Sequence, residues 1–488
     1  MNKSSDIDLT VGNPGKVILR FCIPILLTSL LQNLYSTIDT IVIGQFVGKE
    51  ALAGVGSTGA VNFLVIGFCM GLCMGFVIPI AQFYGAKDYL SLRKTYANSI
   101  WVSLAFGLTI TVIVCIFCRQ ILLIMMTPVE VMAPAYDYIF LIFAGIPITI
   151  AYNLLAGTIR SLGDSKSPLI FLIYAAIINI GFDILSVTVF HMGVRGPAAA
   201  TLLAQLFSCI LCYFHIKKNF RILHIEDVSE WKLDSHFIGK LCKMGVPMGF
   251  QFSITAIGCV ILQIGVNTLG SSAIAAVAAG SKFGMFLQCP TDALGSTMST
   301  YAGQNVGAKK IDRIGQGLRF AVISGCIYSI VIFVIMFFTA KYCMLLFIKP
   351  NETQIIADAA LYCIISALFY PFLVLVNTVR YTIQGMGYST FAVIAGVLEM
   401  FARSFVGVSL IPIFGYVASC FSSPFAWIFA DLFLVPAFFH VKKKNNETTH
   451  GSIIVTLEKT MFPMMIRNHI LLKHKKGAVA SKAAFECP

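Results

Sequence analysis

The sequence predicts an all-α membrane protein of twelve transmembrane helices in two six-helix lobes, related by pseudo-two-fold symmetry, with both termini cytoplasmic. Three observations predict it: a composition too apolar for a soluble chain, twelve apolar segments of spanning length, and a repeat between the two halves. Of 488 residues, 58% are hydrophobic and 12% charged, where an ordinary soluble domain carries about 25% charge. Mean hydropathy is +0.85. A soluble chain this long would need charged surface for two or more domains. This one lacks it, which excludes a soluble enzyme.

A spanning helix needs about 20 mostly apolar residues. Such segments run at 17–46, 51–84, 95–118, 133–159, 168–190, 194–216, 241–267, 272–305, 316–340, 354–380, 391–413 and 417–440. Met1 opens a polar stretch, so no cleavable signal peptide is expected. The loops are short except for a polar linker near the middle. The predicted organisation is an N-terminal cytoplasmic segment at 1–16, an N-lobe at 17–218, a linker at 219–240, a C-lobe at 241–440 and a basic tail at 441–488.

An even number of spans puts both ends on one side. If that side is the cytoplasm, its segments carry 22 Lys and Arg against 5 in the outer loops, a strong positive-inside bias. The net charge of +13 therefore marks a membrane face, and no nucleic-acid partner is expected. The tail holds 9 basic and 3 acidic residues, and its apolar runs are too short to span. The expected partners are small-molecule substrates and the lipid bilayer. The chain is expected to work as a monomer in the plasma membrane, a bacterial inner membrane.

The halves repeat. Residues 48–56, GKEALAGVG, align without gaps on 270–278, GSSAIAAVA, at an offset of 222. The same offset lays Gln82, Gly85, Ala86 and Lys87 on Gln304, Gly307, Ala308 and Lys309. At an offset of 224, Pro147, Asn153, Thr158, Ile159, Gly163 and Ser165 fall on Pro371, Asn377, Thr382, Ile383, Gly387 and Ser389. Six spans per repeat make the repeats parallel, with a cleft between lobes that rock around it. The repeated GAK and GxGxS turns read as structural.

Ionisable residues at mid-span cost about 2.5–3.5 kcal/mol or more and usually face a bundle interior or a wet cavity. They are Asp39, Asp183, Lys282, Asp292, Glu399, Arg403 and Asp431. Gln32, Tyr35, Ser36 and Asp39 form a polar stripe at helical spacing in span 1. Asp183 follows Asn179 by one turn in span 5. Asp39 and Asp183 each lie seven residues from the outer end of their span, roughly 10 Å of helix, and Thr201 enters span 6 at the same level. These groups either bind a proton or sodium ion or satisfy one another; the residues alone leave both open. Glu399 and Arg403 are spaced to pair as a strut, with gating or substrate contact as the alternative. Lys282 and Asp292 are too far apart to pair with each other, and each could face the cleft. Asp431 reads as a satisfied polar contact.

The motifs FVGKEALAGVG, GAKDYLSLRK, STYAGQNVGAKK, TIRSLGDSKSP with its twin TIQGMGYST, and INIGFDI before GVRGPAAAT resemble the MATE (multidrug and toxic compound extrusion) family over residues 8–440. The resemblance implies antiport of organic, often cationic and amphipathic, compounds out of the cell, in exchange for protons or sodium ions. It implies coupling roles for Asp39, Asn179, Asp183 and Thr201, with transient Na+ at Asp39 and Asp183 as one form of it, and a helix-1 bend at Pro24. Span 7 carries no acid, which departs from NorM-like members and resembles the DinF-like and archaeal type.

No phosphate-binding GxxxxGK[ST] loop, HExxH or nucleophile elbow occurs, so neither ATP-driven transport nor catalysis is expected. No cofactor and no resident metal are expected. The fifteen cysteines, set in apolar runs, read as packed thiols. The rival reading is a flippase for a lipid-linked precursor. Such a protein needs several cations in its cleft, and the sequence suggests two, Lys282 and Arg403.

Overall fold

The computed structural model describes residues 7–447 except Met126; the basic tail beyond 447 lies outside the described residues. The described residues up to Phe438 form one compact unit, and a second begins at Phe439. The described chain is helical. The first half comprises α1 (Pro14–Val47), α2 (Lys49–Ser57), α3 (Gly59–Ala86), α4 (Tyr89–Ile116), α5 (Cys118–Ile124), α6 (Val129–Ala144), α7 (Ile146–Ser161), α8 (Lys166–Thr188) and α9 (Arg195–Asn219). The second comprises α10 (Ser235–Asn267), α11 (Ser271–Gly307), α12 (Ile311–Met344), α13 (Thr353–Leu368), α14 (Tyr370–Gly385), α15 (Ser389–Phe414), α16 (Tyr416–Cys420) and α17 (Ser422–Glu447).

Ten of these helices are long and apolar enough to cross a membrane, and twelve spans result if α6 with α7 and α13 with α14 are each one bent span. The bends are 47° and 52°, each followed by a proline in the first turn of the next helix, where a missing N–H costs nothing. The predicted second span is likewise interrupted, as α2 and α3. Side chains fit the starts. Asn13 accepts from the N–H groups of Gly15 and Lys16, and Asp88 and Asp234 cap α4 and α10 in the same way. Large apolar residues such as Ile177 and Phe338 stay exposed on the outer surface, as lipid-facing residues must. All described cysteines are free thiols.

The repeat is written in the backbone. Lys87 and Lys309 both have φ 58°. Gly48 and Gly270, Gly163 and Gly387, and Gly193 and Gly415 are likewise matched pairs with positive φ. Packing repeats too: α1 lies on α8 as α10 lies on α15, and α3 on α7 as α11 on α14. The halves meet through α3 on α10, α1 on α11, and α3 on α11. In α3, a Cβ added at Gly71 would come within 2.5 Å of Met248 O, and one at Gly75 within 2.4 Å of Gly245 Cα. Small residues one turn apart thus let α3 and α10 touch backbone to backbone.

The repeated GAK turns interlock. Gln82 Nε2 donates to Gly385 O at 3.1 Å, and its twin Gln304 Nε2 donates to Ser161 O at 2.8 Å. Each glutamine thereby bonds the end of the bent helix in the other half. The segment before α1 is tied to both: Ile7 N–H donates to Gly163 O, Leu9 N–H donates to Gln304 Oε1, and Arg313 donates to the carbonyls of Val11 and Gly12. Leu9 is fully buried. The polar linker is also fixed. Arg93 grips Glu230 with three hydrogen bonds of 2.8–3.0 Å. That bonding to Arg93 holds the Glu230 carboxyl below the usual glutamate range.

Candidate coupling site and central cavity

α1 packs on α8, and α8 on α9, so Asp39, Asn179, Asp183 and Thr201 come together. Thr201 Oγ1 donates to Asp39 Oδ2 at 3.4 Å, and the Asp39 and Asp183 carboxyls neighbour each other. Asp183 is 0% exposed and Asn179 2%. Among the described residues, Asp39 Oδ1, both Asp183 oxygens, and both polar atoms of the Asn179 amide are buried without a hydrogen-bond partner. Buried polar groups in folded proteins are nearly always paired. Such a concentration of orphan oxygens suits a group that arrives and leaves: a proton between the carboxyls, or a small cation on their oxygens.

A cavity of about 320 Å³ adjoins this cluster, lined by Gln32, Tyr35 and Ser36 of the polar stripe and by Asn179 and Thr201. α1 passes Pro24 without interruption and widens to a π-turn at Ile43–Val47, just beyond Asp39. The Thr28 hydroxyl donates to Pro24 O at 2.8 Å. Among the described residues no group of three or more His, Cys, Asp or Glu could hold a metal ion.

A second cavity of about 520 Å³ shares Gln32, Met70 and Asn153 with the first, and its wall runs across both halves. Its charged residues are Arg160, Asp292, Arg380, Glu399 and Arg403. This corrects three expectations. Lys282 is exposed on α11 and lies outside this cavity. The Glu399–Arg403 pair exists, at 3.4 Å, but Glu399 is shared, since Arg380 Nη2 donates to its other oxygen. Arg160 and Arg380, absent from the mid-span residues of the sequence, also line it: α7 runs on to Ser161 and α14 to Gly385, which carries both arginines into the wall. Asp431 is not satisfied, because neither of its buried oxygens has a hydrogen-bond partner among the described residues. Asp292 does line the cavity and accepts from Asn377 Nδ2 at 2.8 Å.

The two missed arginines carried a signal. Arg160 continues the helical face of Asn153 and Gly157, and Arg380 lies one turn after Asn377; all five of these residues line the same cavity. Hydropathy windows hid both, because each sits at the last turn of an apolar stretch.

A family model described as MatE matches residues 24–185 and again 247–429, one stretch in each half. The chain belongs to the MATE family. This MATE transporter is therefore a multi-pass membrane protein and not an enzyme. It is 30% identical over 369 residues to the probable multidrug resistance protein YpnP of Bacillus subtilis, covering 75% of this chain and 81% of that one. It is 28% identical over 347 residues to the probable multidrug resistance protein YoeA of the same organism, covering 70% and 75%. Its fold is similar to that of a solved MATE protein in complex with MaL6, with a TM-score of 0.83 at 19% identity over 90% of this chain and 100% of that one.

Proposed function

We propose that this transporter is a secondary active antiporter, exporting amphipathic organic compounds in exchange for protons or sodium ions by alternating access. The observation that carries the reading is the pair of adjacent carboxyls, Asp39 and Asp183. They are surrounded by unpaired polar atoms and lie beside a polar cavity that shares its wall with the larger one. A cation bound there relieves the repulsion between the carboxyls and changes what α1 packs against. Pro24 leaves that helix one backbone bond short, so α1 is the element to bend. Asn179 and Thr201 orient the bound ion. In this reading the two six-helix lobes rock about the central cavity, and the face of Lys87 and Lys309 is cytoplasmic in a bacterial inner membrane, as the charge bias implies. The transporter works as a monomer.

The multidrug names of the Bacillus relatives support drug-like cargo. A cationic cargo, expected from the resemblance, would rest on Asp292, since two arginines hold Glu399. The absence of an acid from α10 favours the DinF-like or archaeal type. The test is efflux from proteoliposomes with proton and sodium gradients imposed separately. Asp39→Asn and Asp183→Asn should abolish gradient-driven efflux while the protein stays folded and inserted. Full efflux by both variants would sink the assignment.

A second reading, a flippase for a lipid-linked precursor, gains from one observation: Arg160 and Arg380 join Arg403 in the cavity wall. Transbilayer movement of a lipid-linked sugar would favour it over antiport.

A further inference from the structure

We propose that Arg160 is the receptor for an anionic group, a carboxylate or phosphate, carried by the cargo of this cavity. The inference rests on the reading of the cavity as the cargo's route and reverses the sign of charge expected from the resemblance. Three arginines line the cavity, and arginine keeps its charge in any protein environment. Two of them are compensated. Arg380 and Arg403 share Glu399, and Asp431 lies within electrostatic reach of Arg380. Arg160 differs: among the described residues no carboxylate pairs with it and no acceptor takes its side-chain N–H groups. Its guanidinium nitrogens are absent from the sealed, partnerless atoms of the interior, and the side chain lines the cavity. A permanent cation that lines a cavity and lacks a counter-charge among the described residues is a site for an incoming anion. The planar fork of N–H donors fits a carboxylate or phosphate with two parallel bonds.

The remainder of the wall suits an amphiphile. Phe63, Met70, Met74, Phe252 and Met285 supply adaptable apolar surface. A volume of about 520 Å³ falls within the range of ~300–1,000 Å³ usual for drug-sized ligands. The one acid of the wall not gripped by an arginine side chain, Asp292, is bonded by Asn377. It would disfavour a second negative charge there, so the cargo has one anionic head and an apolar or cationic remainder.

The test uses the full-length transporter in nanodiscs without any gradient, so that it reads binding and not coupling. Saturable binding is measured for dansylglycine (a soluble carboxylate), a short-chain fluorescent phosphatidylglycerol (a lipid phosphate), and dansylcadaverine (a cation with the same dye). Arg160→Gln should weaken at least one anionic probe tenfold or more and leave dansylcadaverine unchanged or tighter. Arg160→Lys should restore part of the loss and exclude misfolding as its cause. Which anionic probe responds tells a soluble organic anion from a lipid headgroup. No saturable binding of either anion by the wild type overturns the proposal, as does an equal loss of all three probes in Arg160→Gln. Failure of the antiport reading would appear separately, as wild-type vesicles that ignore both gradients while this binding pattern stands.

Discussion

Replacing Gly307 with alanine should force apart the crossing of α3 and α11. The new Cβ would fall 1.8 Å from Gln82 O, where real Cβ contacts essentially never come under 3.0 Å. The obstacle is backbone, which cannot rotate aside, so the helices must separate by more than 1 Å. Overpacking of this kind costs about 1–3 kcal/mol. Separation also strains the Gln82–Gly385 and Gln304–Ser161 hydrogen bonds, each worth about 0.5–1.5 kcal/mol. The state with this crossing closed therefore loses about 2 kcal/mol or more. Since 1.4 kcal/mol is tenfold, its population relative to the opened state should fall roughly 30-fold. The assay is labelling of Ser161→Cys by a membrane-impermeant thiol reagent applied from the side of Lys87 and Lys309. Ser161 is buried at this crossing, so labelling should be slow in the parent and fast with Gly307→Ala added. The repeat makes a second demand. Gly85→Ala places its Cβ 2.0 Å from Gln304 O and should act alike, while Gly239→Ala, with nothing within 4 Å, should be silent. Unchanged labelling and efflux in both crossing variants would refute the reasoning.

Removing the shared acid, Glu399→Gln, leaves Arg380 and Arg403 facing each other in the buried wall. Breaking such a pair costs about 3–5 kcal/mol, so the melting temperature in detergent should drop clearly. Glu399→Gln with Arg403→Gln should recover part of it, and a single variant that melts like wild type would disprove the strut. Glu230 is held below its ordinary value by Arg93. Its stabilisation is present above the unfolded glutamate value of about 4.3 and is lost as pH falls through the lower folded one. Limited proteolysis of the linker should therefore quicken only under acid conditions below about pH 4, and Glu230→Gln should be cut readily even at neutral pH. Equal protection of the variant at pH 7 would show that the Arg93 contact does not hold the linker.

Much of the fold was legible because membrane spans obey a one-dimensional rule. Apolar length located the helices, and the repeat foretold backbone details as fine as the matched φ of Lys87 and Lys309. Asp39, Asn179, Asp183 and Thr201 were legible for the same reason: polar groups are rare in such segments, and helical rise sets their depth. The GAK turns were underread. Their glutamines bond across the halves, and a repeat aligned with itself says nothing about which copy touches which.

Sequence alone settled that the chain is a multi-pass helical protein, that its halves are copies, and which few polar residues lie among apolar ones. Only the tertiary structure decided how those residues group. Glu399 serves two arginines and not one, Lys282 lies outside the cavity, and among the described residues Asp431 stays unsatisfied and Arg160 enters the wall without a partner. The physical reason is that hydropathy depends on what a residue is. The charge balance of a cavity depends instead on which helices, hundreds of residues apart, turn their faces to the same space.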